Sequence, residues 1–197
     1  MSAALRLTSY WMKMEKNMHC ENYINTLYRP PQHPNGAPCT RWWACPSILV
    51  GGSIVSEIDA WHLKDLGITH VLSVESERTD LGCLGLAGLE GHESSFEDVG
   101  DHEQAIPAIL DGILYACSIK GKPVFYVHCQ MGGSRSPAMA YALLRSLFGY
   151  STDRALSSIR HMKPEYANEA HGFGRTYIAA AEEALIRYAA SVTKRVW

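Results

Sequence analysis

The sequence predicts an α/β fold: a central, mostly parallel sheet flanked by helices, in a single domain preceded by an N-terminal arm. Three observations carry that expectation. From Ser47 onward, short apolar and β-branched runs alternate with longer segments of helical spacing. The apolar run Pro123–Val127 leads into His128 and Cys129, then a tight glycine-containing turn, then a helical segment. Residues 1–46 differ from the rest, with Pro30, Pro31, Pro34, Pro38 and Pro46 set among Tyr10, Trp11, Tyr28, Trp42 and Trp43. Proline at that density disfavours long helices, and the aromatics suit an arm that packs on a body. The domain division read from this is an arm over 1–46 and a single domain over 47–197.

The elements follow in order. Ser47–Val50 reads as a strand ended by Gly51-Gly52. Ser53–Leu66 places Ile54, Ile58, Trp61 and Leu66 near one helical stripe, with Gly67 as terminator. Thr69–Val74 is a buried strand by composition, and the glycine-rich passage Leu81–Gly91 reads as loop. His92–Phe96 is a further short strand. Asp101–Gly121 reads as a helix with Asp101 and Gln104 as a capping box, although Pro107 moves the expected start toward Ile106. Pro123–Val127 is the central strand, and Ser134–Phe148, Thr152–Met162 and Gly174–Ala190 are helices.

Composition narrows the function classes. A formal charge of -2 gives no uniform basic field, so general nucleic-acid binding is not expected. No apolar run reaches the roughly 18 residues of a membrane helix, and Arg6, Lys13 and Glu15 interrupt the start, which makes a poor signal peptide. Cys20, Cys39, Cys45, Cys83, Cys117 and Cys129 show no CxxC spacing, so reduced thiols in a cytoplasmic or nuclear setting are expected in place of disulfides or a zinc site. Oligomeric state is not legible.

The chemistry concentrates in His128-Cys129-Gln130-Met131-Gly132-Gly133-Ser134-Arg135-Ser136. A strand delivers Cys129 to its C-terminal edge, where open α/β sheets bind ligands. Gly132 and Gly133 permit a tight turn whose backbone N–H groups can converge on a dianion, and the following helix adds its positive N-terminal end. The same surroundings favour the thiolate form of a cysteine, the form that attacks phosphorus. Arg135 offers a planar fork matched to two phosphate oxygens. The competing reading, a buried structural cysteine beside an ordinary helix, explains neither the glycines nor the arginine.

This HCxxGxSRS pattern resembles the signature of cysteine-dependent protein tyrosine phosphatases, in its dual-specificity form. The resemblance spans roughly 47–187, including the Ser47–Glu75 strand, helix and strand. It implies a cysteine-phosphatase type of α/β fold and catalysis by Cys129, Arg135, Asp98 and Ser136. Gln130, Met131, Gly132, Gly133, Ser134 and Arg135 would bind the phosphate. Asp98, on a loop between strand and helix ahead of the cysteine, is the expected general acid, with Asp101 as runner-up and Glu97 third. Ser136 would help the thiolate leave, or simply cap the helix. His128 would orient the cysteine loop by hydrogen bonding, and has no second ligand at metal spacing. Lys163-Pro164-Glu165-Tyr166-Ala167-Asn168 loosely resembles a stretch in which an asparagine braces the phosphate loop; Asn168 could equally cap a helix.

No metal or organic cofactor is implied. The expected substrates are phosphoproteins carrying phosphotyrosine, phosphoserine or phosphothreonine, since no Asn-Arg-Tyr segment of a deep phosphotyrosine pocket is present. Alternatives are a phosphoinositide phosphatase, an RNA 5′-phosphatase, or a phosphate-binding module without turnover. Gln130, Met131 and Gly133 supply none of the loop lysines usual in phosphoinositide phosphatases. Cys45 and Cys83 are candidates for a protective disulfide with oxidised Cys129.

Overall fold

The computed structural model describes residues 41–76, 82–98, 102–162 and 173–194, with the backbone alone at 160–162, 173–176 and 194. The elements are β1 (Arg41–Cys45), β2 (Ile48–Gly51), α1 (Glu57–Asp65), β3 (His70–Glu75), α2 (Gly82–Ala87), β4 (Glu90–Phe96) and α3 (His102–Ser118). They continue with β5 (Phe125–His128), α4 (Arg135–Phe148), α5 (Thr152–Met162) and α6 (Phe173–Lys194). The strands form one sheet of order β1-β2-β5-β3-β4. Neighbours run parallel except β1, which pairs antiparallel with β2. The predicted α/β architecture with a mostly parallel sheet is the one observed.

Alternating side chains explain why the central strands read as unbroken apolar runs. Ile48, Val50, Leu72, Val74, Phe125 and Val127 enter a core that also takes residues of α3, α4, α5 and α6. Leu49, Val71 and Tyr126 face the opposite side, where residues of α1 and α2 cover them. A sheet covered on both faces needs apolar residues in both phases.

Several expectations shift. Residues 41–45, read as the end of the arm, form the edge strand β1, and Trp42 and Ala44 bury their side chains in the core. The helix expected over Ser53–Leu66 starts later, because the Ser56 side chain accepts a hydrogen bond from the Asp59 amide at 3.2 Å and so caps α1. Its expected stripe is also displaced: Ile58 and Trp61 are 67% and 50% exposed, while Asp59, Ala60 and Leu63 face inward. An aspartate on the buried face is what misled the pattern; Arg41 Nη2 reaches Asp59 Oδ1 at 3.4 Å.

The passage 81–91 is not all loop. Cys83, Leu84 and Ala87 bury one side of α2, which ends at Gly88 (φ 69°), and β4 begins at Glu90. Pro107 does not delay α3, which already begins at His102. Its ring lies on the solvent side, and burial of Ala105, Ile106, Ile109, Ile113 and Ala116 outweighs the lost backbone bond, about 3 kcal/mol at an interior helix position. The strand expected to end at Val127 runs one residue further, to His128, so Cys129 is the first residue beyond it.

Candidate active site

Cys129 leaves β5 beside the end of β2, and its amide donates to the Gly51 carbonyl at 3.3 Å. The side chain is buried, with Sγ 3.3 Å from Ser136 Oγ. Ser136 Oγ in turn lies 3.3 Å from the Gly51 carbonyl oxygen. The hydroxyl has one proton: it donates to the carbonyl when sulfur is a thiol, and can turn to sulfur when sulfur is a thiolate. Ser136 therefore does not spend its side chain on capping α4.

The turn between Cys129 and Arg135 is built against a second wall, formed by the end of β2 and the residues that follow it. Gly132 has φ 70°, and a Cβ there would meet the Gly51 carbonyl carbon at 2.6 Å and its oxygen at 2.9 Å. Only glycine suits that position, on both conformational and steric grounds. Gly133 differs: its φ is not left-handed, and a Cβ would meet nothing within 4 Å. One glycine, not two, is demanded by the turn. The amide of Ser53 donates to the Gln130 carbonyl at 3.1 Å, tying the turn to the residues after β2. Behind this wall, Tyr126 Oη donates to the Gly52 carbonyl at 2.5 Å, and Arg41 Nε donates to Tyr126 Oη at 3.1 Å. Arg41 and Tyr126 thus support the wall from β1 and β5.

Arg135, the first residue of α4, is 0% exposed. Its Nη1 donates to the Phe96 carbonyl at 3.1 Å, and its Nε lies 3.9 Å from Asp98 Oδ1. Asp98 is on the rim, its side chain 44% exposed. Ser134 Oγ donates to Asp98 Oδ1 at 2.9 Å, and so makes no side-chain cap on α4. The structure thus gathers Cys129, Ser134, Arg135, Ser136 and Asp98 at the ends of β5 and β4. Gln130 and Met131 lie on the turn, Met131 partly exposed. Glu97 points to solvent, while Asp101, Lys163, Pro164 and Asn168 lie outside the described residues.

His128 departs from expectation. Among the described residues, neither ring nitrogen finds a hydrogen-bond partner. The ring stacks on Tyr126 at 5.5 Å, and Nδ1 lies 3.6 Å from Glu75 Oε1. Burial first, then the charges of Arg41 and Arg135, lower its pKa to about 3, so the ring is neutral. Its contacts are packing contacts, and the expected hydrogen bond to the cysteine loop is not made. Among the described residues, no group of His, Cys, Asp and Glu could hold a metal ion.

The disulfide candidates fit poorly. Among the described residues no disulfide joins Cys45, Cys83, Cys117 or Cys129. Cys45 pairs with Ile48, whereas the partner of His128 is Gly51. At about 3.3 Å per residue, roughly 10 Å of strand lies between those ends, more than the Cα separation a disulfide spans. Cys83 belongs to the core on the other face of the sheet.

No family model matches the chain. A curated mouse (Mus musculus) protein, dual specificity protein phosphatase 12, is 32% identical over 124 residues, which is 61% of this chain and 35% of that protein. The chain therefore spans about a third of the length of that relative. Among solved structures, DUSP15 is similar with a TM-score of 0.56 at 19% identity, covering 79% of this chain and 96% of that one. PTPMT1 in complex with PI(5)P is similar with a TM-score of 0.57 at 18% identity, covering 75% of this chain and 97% of that one. The chain has the fold of these solved structures and is similar in sequence, over 124 residues, to dual specificity protein phosphatase 12. Within that fold, sequence reasoning missed the Gly51–Ser53 wall, Glu75 behind the cysteine, and Tyr177 of α6, whose Oη lies 3.2 Å from Asp98 Oδ1. Gly51-Gly52 before a helix was a usable signal for the wall. Nothing local marks Tyr177, which arrives from far along the chain.

Among the described residues, no helix is long and apolar enough to cross a membrane.

Proposed function

We propose that the protein hydrolyses phosphate monoesters on phosphoproteins, taking phosphotyrosine and phosphoserine or phosphothreonine, through a cysteinyl-phosphate intermediate. The observation that carries this is the sulfur of Cys129 beside the Ser136 hydroxyl, with the buried Arg135 between the loop and Asp98 on the rim. In the first step a lone pair of the Cys129 thiolate forms an S–P bond. The P–O bond to the leaving group breaks, and Asp98 gives that oxygen a proton. Arg135 and the amides of 130–135 hold the other phosphate oxygens as charge spreads over them. In the second step Asp98 takes a proton from water, the water oxygen bonds to phosphorus, and the S–P bond breaks. The Ser136 hydroxyl donates to the departing sulfur.

Asp98 is preferred over Glu97 because it meets Arg135 and Ser134 while Glu97 faces solvent. The substrate is taken to be a phosphoprotein because the turn carries Gln130, Met131 and Gly133 and no lysine. A second reading, phosphoinositide hydrolysis, is supported by the likeness to PTPMT1 in complex with PI(5)P. The first test is hydrolysis of an aryl phosphate by the wild type and Cys129→Ser. Activity in the wild type alone supports the enzyme; equal rates favour a binding module without turnover. A panel of phosphotyrosyl and phosphoseryl peptides against phosphatidylinositol monophosphates then separates the two substrate classes.

A further inference from the structure

Two hydroxyls donate to a single oxygen of Asp98, and a guanidinium nitrogen stands near it. Ser134 Oγ lies 2.9 Å from Oδ1, Tyr177 Oη 3.2 Å, and Arg135 Nε 3.9 Å. Tyr177 comes from α6, far along the chain, and is 0% exposed. Its hydroxyl is also 3.3 Å from the Glu97 carbonyl, so one phenol spans both residues that follow β4. Its ring meets Phe96 edge-on at 5.3 Å and 64°. The Phe96 carbonyl is held in turn by Arg135 Nη1 at 3.1 Å. The segment 96–98 is therefore fastened from the phosphate loop on one side and from α6 on the other.

We propose that Tyr177 is a positioning residue for the general acid, a role that rests on the reading of Asp98 as that acid. The donors decide which oxygen carries the transferable proton. A proton on Oδ1 would force the Ser134 and Tyr177 hydroxyls to turn their hydrogens away, whereas among the described residues no hydroxyl donates to Oδ2. The acid form of Asp98 holds its proton on Oδ2, and Oδ2 is the atom that serves the leaving oxygen. Without the phenol the carboxyl loses one of the restraints that distinguish its two oxygens, and the orientation needed for proton delivery loosens.

Proton delivery matters most when the leaving group is a poor one, which separates this role from general support of the fold. The test compares kcat/KM for phenyl phosphate and 4-nitrophenyl phosphate in wild type, Tyr177→Phe and Asp98→Ala. Tyr177→Phe keeps the ring against Phe96 and removes only the hydroxyl. The expected result is a loss of about tenfold on phenyl phosphate against less than about twofold on the nitrophenyl ester. Asp98→Ala should show the same skew, larger. Inhibition by inorganic phosphate should stay within about twofold in Tyr177→Phe, since the phosphate loop is untouched. Equal loss on both esters, or loss on neither, while Asp98→Ala keeps its skew, would overturn the role of Tyr177 and leave the acid standing. No skew in Asp98→Ala would show that the acid was misassigned, and the role of Tyr177 would fall with it.

Discussion

The Ser53 hydroxyl donates to Glu75 Oε2 at 2.5 Å, and the Ser53 backbone amide donates to the Gln130 carbonyl at 3.1 Å. One serine thus joins a buried carboxylate on β3 to the first residue after Cys129 in the turn. Glu75 also lies beside His128, immediately behind the cysteine.

Ser53→Ala removes a hydrogen bond to a charged group, worth about 1.5–3 kcal/mol. The backbone bond to Gln130 survives the change. Urea unfolding should show that loss in stability, while kcat/KM on an aryl phosphate falls only a few-fold. A hundredfold loss of kcat/KM with unchanged stability would mean that Ser53 acts on the substrate directly.

Gly132 and Gly133 should part company. Gly132→Ala places a Cβ 2.6 Å from the Gly51 carbonyl carbon at a left-handed φ. The turn must move, so activity should drop by at least about 100-fold and stability by about 1–3 kcal/mol. Gly133→Ala meets nothing within 4 Å, and its unfolding midpoint should match wild type. Similar destabilisation by both substitutions would contradict the wall formed by Gly51.

Ser136→Ala tests the second chemical step. With its hydroxyl 3.3 Å from Cys129 Sγ, the serine should matter most as sulfur departs. The expectation is a fall in kcat of about 10–100-fold with a smaller change in kcat/KM, and a burst of phenol release in rapid-mixing experiments. A matching fall in both constants without a burst would assign Ser136 to the first step.

Acid should destabilise the protein through His128. Its native pKa is lowered to about 3, so between its ordinary value of 6.5 and 3 the unfolded chain takes a proton that the folded chain refuses. The folded state keeps its full stability above 6.5 and loses it as pH falls, by about 2 kcal/mol at pH 5. Urea unfolding at pH 7 and pH 5 measures this, and His128→Asn should flatten the dependence. An unchanged slope in that variant would show that other groups govern acid unfolding.

The strand-turn-helix around Cys129 was legible because its chemistry is local. Cys129, Gly132, Arg135 and Ser136 lie within eight consecutive residues, and the apolar run before them and the helix that Arg135 opens are set by neighbouring residues. The expectation for Asp98 came instead from the family resemblance, which implies a general-acid aspartate on the loop between that strand and helix. The alternation of strands and helices, and hence the α/β class, follows from hydrophobic period alone.

Contacts between distant segments account for the rest. Arg41 takes Asp59 into the interior, which turned α1 away from its apparent apolar stripe and left Ile58 and Trp61 outside. Burial of Leu84 and Ala87 made a helix of a glycine-rich passage, and the β1–β2 pairing drew residues 41–45 into the sheet. Gly51 became a wall for Gly132, and Tyr177 came to rest on Asp98, only because the sheet and α6 bring those positions together. Periodicity and propensity act over a few residues, whereas packing and buried hydrogen bonds join residues far apart in the chain. No pattern in the neighbouring sequence encodes which distant partner a side chain will meet.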